Sequence, residues 1–271
     1  MASNPLPLKI IDTSRVAPPP SITPDCASLP FTFFDLIMTT FTPVERLFFY
    51  SYRHPTVHFL SSHLPSLKRS LSLTLATYYP LAGGYRRKPG TDNELEHYYK
   101  EGDGVSFTVA ECVDGRFEDL ANDYERDVSQ LDCLVPLLPK SGDDEESKPV
   151  LAVQVTVFPE QGIVIGTWMN HTVCDGSSFM PFMHTWSETC LSGVLSSSWV
   201  PVFDRSLFSD PSNLYPFYYK QIQNALISGT EGIYKDSKPP SDPVVATFSF
   251  GHILIWATTY PKAEATSFDQ G

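Results

Sequence analysis

The strongest chemical signal in the sequence is the run Asn170-His171-Thr172-Val173-Cys174-Asp175-Gly176. An imidazole has a pKa near neutrality, so His171 can take a proton from an alcohol or amine as that group attacks a carbonyl. Asp175, four residues on, could orient the loop or the ring, and Gly176 lets the backbone pass close to another element. With seven His and 18 Asp in 271 residues, an HxxxD match arises by chance roughly half a time, and requiring Gly next lowers this to roughly 0.03. The plainer alternative is a hydrogen-bonded structural histidine near the core.

Other chemistry-bearing residues are weaker. His54, His58 and His63 share a segment but lack a nearby Cys or acidic ligand at metal spacing, which favours a surface or packing role, and no metal is expected. His97 with Glu101 and His184 with Glu188 are i,i+4 pairs that arise here without chemistry. Cys174 could be a nucleophile, though a small core filler is the better reading. The acidic run from Gly142 to Ser147 reads as a solvated loop. There is no Walker loop, GxGxxG or GxSxG.

The elements that must position His171 follow from periodicity. Leu151–Phe158 and Ile163–Met169 are nearly all apolar and read as strands joined by a turn at Pro159–Gly162. Phe179, Phe182, Met183 and Trp186 then recur at helical spacing, which predicts a helix over Gly176–Cys190 and puts His171 at a strand-to-helix junction. Leu95–Tyr99 and Val105–Ala110 also read as strands, and Leu6–Ile11 as an extended run. Phe33–Phe41 reads as a buried strand, followed by a helix starting at Thr42-Pro43-Val44-Glu45 on N-cap grounds. An apolar stripe from His58 to Tyr78 predicts a helix that bends or begins near Pro65 and is ended by Gly83-Gly84. The Ser-rich stretch from Leu191 is a linker, followed by a helix over Tyr215–Ile227 and a last strand over Val244–Phe250.

Composition narrows the class. Hydrophobic residues make up 42% of the chain and charged residues 18%, which is a globular composition. The net charge of -12 repels a phosphate backbone, and the short clusters Lys68-Arg69 and Arg86-Arg87-Lys88 read as surface, so no nucleic acid partner is expected. Five cysteines without a CxxC pair fit reduced thiols. With neither a signal-peptide pattern nor a long apolar segment, the expectation is a cytoplasmic protein with no membrane partner.

His171-Thr172-Val173-Cys174-Asp175-Gly176 resembles the HxxxDG signature of the plant BAHD acyl-CoA-dependent acyltransferases. The resemblance continues through FTFFDLIMTTF, PVERLFFY, SLKRSLSLTLATYYPLAGGY and WMNHTVCDGSSFMPFMHTW in the family's order, over about residues 5 to 250. PVERLFFY and the DLIM segment are most similar to the anthocyanin and flavonoid glucoside branch, whose donors are often malonyl-CoA or hydroxycinnamoyl-CoA. The resemblance implies an α/β (α+β) fold of the chloramphenicol acetyltransferase type, a mixed sheet flanked by helices, with two such domains in the family and a solvent channel between them. It implies His171 as general base on the acceptor hydroxyl. Asp175 would be structural, pairing with an arginine of the second half, and Gly176 would permit close packing of the loop. Acyl-CoA would be co-substrate, with no tightly bound cofactor; the cofactor-binding residues stay unknown.

Family members are far longer and carry a DFGWG motif that this sequence lacks. The expected organisation is therefore a domain over residues 1–190, a linker over 191–212, and a fragment of the second domain with a divergent tail over 213–271. A C-terminally truncated chain would expose interdomain surface and self-associate, and would transfer acyl groups weakly or not at all. Three readings stay open: an acyltransferase acting on a phenolic glycoside hydroxyl, a non-catalytic truncated homologue that binds or regulates, and a hydrolase of the same thioesters.

Overall fold

The computed structural model describes residues 6–122, 130–137 and 147–228, without the side chains of 224–228. The expected strand Val244–Phe250, the tail and most of the acidic loop lie outside these residues, as does most of the 213–271 fragment. Nine strands are described: β1 (Lys9–Val16), β2 (Cys26–Pro30), β3 (Val44–Ser51), β4 (Gly84–Arg87), β5 (Leu95–Lys100), β6 (Val105–Glu111), β7 (Lys148–Pro149), β8 (Leu151–Phe158) and β9 (Gly162–Met169). The helices are α1 (Phe33–Met38), the single turn α2 (Thr56–His58), α3 (Leu64–Thr77), α4 (Phe117–Ala121), α5 (Gly176–Ser192) and α6 (Leu214–Ser228).

A five-stranded mixed sheet in the order β1-β6-β8-β9-β3 forms the centre, with β6 and β8 parallel and the other pairs antiparallel. Every residue of β8 is buried, because both faces of the sheet are covered. On one face α3 and α5 pack Leu71, Leu75, Phe179, Phe182 and Trp186 onto Phe107, Val153, Val155 and Ile165. On the other, Phe117, Leu120 and Leu134 cover Phe158 and Val164. Strands covered on both sides lose the alternation of half-exposed ones, and the two polar side chains of β8 are buried too, the Gln154 amide donating to the Cys133 carbonyl at 2.8 Å and to Thr156 Oγ1 at 3.1 Å. A second, antiparallel sheet has the order β2-β5-β4-β7. Phe31 and Leu36 beside it pack against Ile222 of α6.

Two expectations fail together. Phe33–Phe41 is not a strand: its first six residues are α1. Thr32 and Asp35 form a capping box, in which the Thr32 N–H donates to Asp35 Oδ2 at 2.6 Å and the Asp35 N–H donates to Thr32 Oγ1 at 3.4 Å. This satisfies helix-end donors that a strand would have to pair elsewhere. The helix expected from Thr42 is instead β3, paired with β9 from Val44↔Met169 to Ser51↔Gly162. Eight residues of ladder outweigh a local cap signal, since propensity is a weak prior against tertiary context.

The 58–78 helix begins as a π turn over Phe59–His63 and becomes α-helical at Leu64, with Pro65 in its first turn where its missing N–H costs nothing. It ends at Thr77, and Gly83-Gly84 lead into β4. The long segment after α5 has little regular structure but packs back on the domain: Phe203 meets Tyr79 at 5.2 Å, and Arg205 pairs with Asp35 at 3.5 Å.

Candidate functional site

β9 runs between β8 and β3 and delivers the chain to the His171 turn at the end of the large sheet. The turn is anchored at its start by the Asn170 N–H donating to the Val150 carbonyl at 2.8 Å. The Asn170 side chain then organises it, Oδ1 accepting from the Thr172 N–H at 2.9 Å, while the Asn170 carbonyl accepts from the Val173 N–H at 3.3 Å. Asx turns of this kind suit a sharp change of direction. α5 follows at once, so a strand, a short turn and a 17-residue helix hold His171 between two rigid elements.

His171 is half-buried, with the Phe41 ring edge-on at 6.1 Å. Its Nδ1 is sealed from solvent and has no hydrogen-bond partner among the described residues. A buried polar nitrogen left unpaired is costly.

Asp175 is exposed and caps α5. Its Oδ1 accepts from the Ser178 N–H at 2.9 Å, and the Ser177 hydroxyl donates to both carboxylate oxygens at 2.9 and 3.0 Å. Burial pushes this carboxyl up, but those hydrogen bonds outweigh it and hold the pKa below 3.8. Among the described residues Asp175 makes no ion pair. Gly176 is exposed, and a Cβ there would meet only Arg46 Nη2, at 3.5 Å, an ordinary contact. The close packing expected of Gly176 is therefore not supplied by the described residues.

Cys174 is the wrong group for a nucleophile. Burial first, then the Asp175 charge, push its thiol up to about 12 against the opposing pull of Arg46, and it packs against the Met169 sulfur. A thiol protonated at neutral pH is inert.

The remaining candidates separate cleanly. His54, His58 and His63 do converge, His54 stacking on His58 at 4.5 Å and His63 meeting His58 edge-on at 5.5 Å, beside Tyr52, whose hydroxyl lies 2.6 Å from His58 Nδ1. Among the described residues no group of three or more His, Cys, Asp or Glu side chains could hold a metal ion. In the basic clusters, Lys68 pairs with Asp12 at 2.6 Å, Arg86 with Glu96 at 2.8 Å and Lys88 with Glu94 at 2.8 Å. Two cavities, of about 520 Å³ beside β3 and α5 and about 430 Å³ beside the start of α5, do not include His171 in their walls.

Comparison with known proteins places this geometry in a family. The profile described as "Transferase family" matches residues 6–238. The coumaroyl-CoA:anthocyanidin 3-O-glucoside-6''-O-coumaroyltransferase 1 of Arabidopsis thaliana is 39% identical over 218 residues, which are 77% of this chain and 46% of the relative. The chain belongs to the BAHD acyltransferase family. A malonyl-coenzyme:anthocyanin 5-O-glucoside-6'''-O-malonyltransferase of Salvia splendens is 34% identical over 225 residues, 79% of this chain and 48% of that protein. The crystal structure of vinorine synthase matches with a TM-score of 0.55 at 23% identity, over 76% of this chain and 48% of the other, which confirms the fold of the BAHD chain. The chain spans about half the length of the curated relatives it matches. Among the described residues no helix is long and apolar enough to cross a membrane.

Proposed function

We propose that this chain carries the base of an acyl-CoA-dependent acyl transfer to a hydroxyl of a phenolic or anthocyanin glucoside. The observation that supports this most is His171: a half-buried imidazole on a rigid strand-to-helix turn, hydrogen-bonded to no described residue. With Nδ1 sealed, Nε2 is the nitrogen that can meet an acceptor. It takes the acceptor's proton as the oxygen attacks the thioester carbonyl. When the tetrahedral adduct collapses, the carbon–sulfur bond breaks and the imidazolium returns the proton to the departing thiolate, giving the ester and free coenzyme A. Asp175 serves this by capping α5 and so fixing where the turn ends. The relatives include coumaroyl and malonyl transferases, and hydroxycinnamoyl-CoA and malonyl-CoA are the two donors to test. Five unpaired cysteines suit a reducing, cytoplasmic setting.

The second reading is a binding protein that holds the acceptor without turning it over. Assay with coumaroyl-CoA and malonyl-CoA on an anthocyanidin 3-O-glucoside separates the two. Transfer that falls by about 10²- to 10⁴-fold in His171→Ala, the range for loss of a general base, supports catalysis. Acceptor binding without product in either protein supports the binding reading, and free acid as the only product would mean hydrolysis.

A further inference from the structure

Behind the His171 turn stands a second histidine that acyl transfer as described does not use. His97 lies in the interior of its sheet, between Leu29 of β2 and Tyr85 of β4, and is 2% exposed. Its Nε2 lies 2.9 Å from the Thr172 carbonyl oxygen. A carbonyl can only accept, so the hydrogen is on Nε2. Nδ1 is buried and without a partner among the described residues. Burial, and after it the charge of Arg205, push this imidazole down to about 3 despite the bond to Thr172, so the ring is neutral. Arg205 is itself paired with Asp35, and the Phe31 ring packs against the imidazole at 4.5 Å. The ring thus has one tautomer and one orientation.

The place of the acceptor gives the bond its meaning. Thr172 follows His171 directly, and the other hydrogen bonds of the turn are internal or run to Val150. The Thr172 carbonyl shares its planar peptide with the Val173 N–H, which donates to the Asn170 carbonyl at 3.3 Å, so the 2.9 Å bond from His97 is the shorter of the two that hold this peptide, one residue after His171. A neutral donor also holds the carbonyl without setting a positive charge beside a base that must itself accept a proton.

We propose that His97 is a positioning residue for acyl transfer: its Nε2–H, held on the Thr172 carbonyl, fixes the peptide that follows Thr172 and so, through the tight turn, the aim of the His171 imidazole. This rests on the reading of His171 as general base. Two variants of the full chain test it. His97→Phe keeps a ring against Phe31 and removes the donor, and His97→Gln offers an amide N–H instead.

The readouts are kcat and KM with the donors and glucoside above, and the histidine side-chain ¹H–¹⁵N spectrum, with His171→Ala to assign His171. Expected in His97→Phe is a kcat lower by about 100-fold, the scale of a 1 Å misplacement, with KM within about twofold. His97→Gln should recover most of the loss. The wild-type spectrum should contain one Nε2–H histidine that does not titrate between about pH 5 and 8 and disappears in His97→Phe, while the His171 signals move.

A folded His97→Phe with kcat, KM and His171 signals unchanged overturns the proposal, as does a His97 that titrates near neutrality. If His97→Phe does not fold, His97→Gln decides: near-wild-type kcat supports the proposal, and a folded protein down by about 100-fold overturns it. If the wild type makes no product yet loss of the donor still moves the His171 signals, the hold on the turn stands and the acyl-transfer reading is what fails.

Discussion

Acidification from about pH 7.5 to about pH 4.5 should destabilise this protein through His97 before its carboxylates take part. The unfolded ring binds a proton near its ordinary value of 6.5, while the folded ring, buried beside Arg205, binds one only at about 3. Between those values the unfolded state holds more protons than the folded one, so stability rises with pH and is lost as pH falls. The contribution is fully present above 6.5. Each pH unit inside the window is worth about 1.36 kcal/mol, so two units down to pH 4.5 remove about 2.7 kcal/mol. Asp12, held below 3.8 chiefly by its hydrogen bond from Lys68, and Asp175 lose their contributions only below that range.

The assay is denaturant unfolding followed by tryptophan fluorescence, comparing wild type with His97→Gln across the range. Near neutrality the wild type should be the more stable by about 1 kcal/mol or less, since the glutamine amide takes over most of the hydrogen bond to the Thr172 carbonyl. That gap should shrink by about 2.7 kcal/mol on acidification, enough to close it or reverse its sign. A gap that stays constant or widens as pH falls would refute the reasoning, because it would mean that His97 protonates equally in both states.

Asp175→Ala should lower stability by about 1 kcal/mol through loss of the α5 cap, and Asp175→Asn should largely keep it; a thermal scan that cannot tell the three apart would deny the cap its role. Gly166→Ala should destabilise by about 1–3 kcal/mol, because a Cβ there would drive into the Leu134 carbonyl oxygen; an unchanged denaturation midpoint would mean that the Leu134 segment yields freely. Leu191 near the end of α5 and Val194, Val200, Val202 and Leu207 after it are exposed apolar residues, which should give concentration-dependent association in sedimentation velocity. A monomer at every concentration would show that these residues are inert.

The elements that present the His171 turn were legible because their signals are local. β8 and β9 are apolar runs joined by a turn, α5 carries its own period, and the capping residue Asp175 belongs to the motif itself. α1 and β3 were misread for a common reason. Phe33–Phe41 is apolar enough for either structure, and its helical start depends on Thr32 and Asp35 meeting. Val44–Ser51 becomes a strand only because β9 lies beside it. Composition cannot choose between helix and strand in a short apolar segment whose partner is distant in sequence.

His97 shows the limit most clearly. Its spacing to Glu101 carries no chemistry, and its partner is a backbone carbonyl 75 residues away. A carbonyl has no side-chain signature, so no pattern of residue types could mark it. The one available hint was a polar residue in a strand pattern, which by itself points to burial or exposure equally.

By itself the sequence determined the family signature, the strand-turn-helix that presents His171, the acidic surface and the covered central strands, because each depends on residue order over a few turns of chain. Only the tertiary structure decided that Cys174 is held as an inert thiol and that His97 stands behind the turn. Those outcomes depend on which polar groups are shut away from water together, and desolvation is a property of the packed chain as a whole.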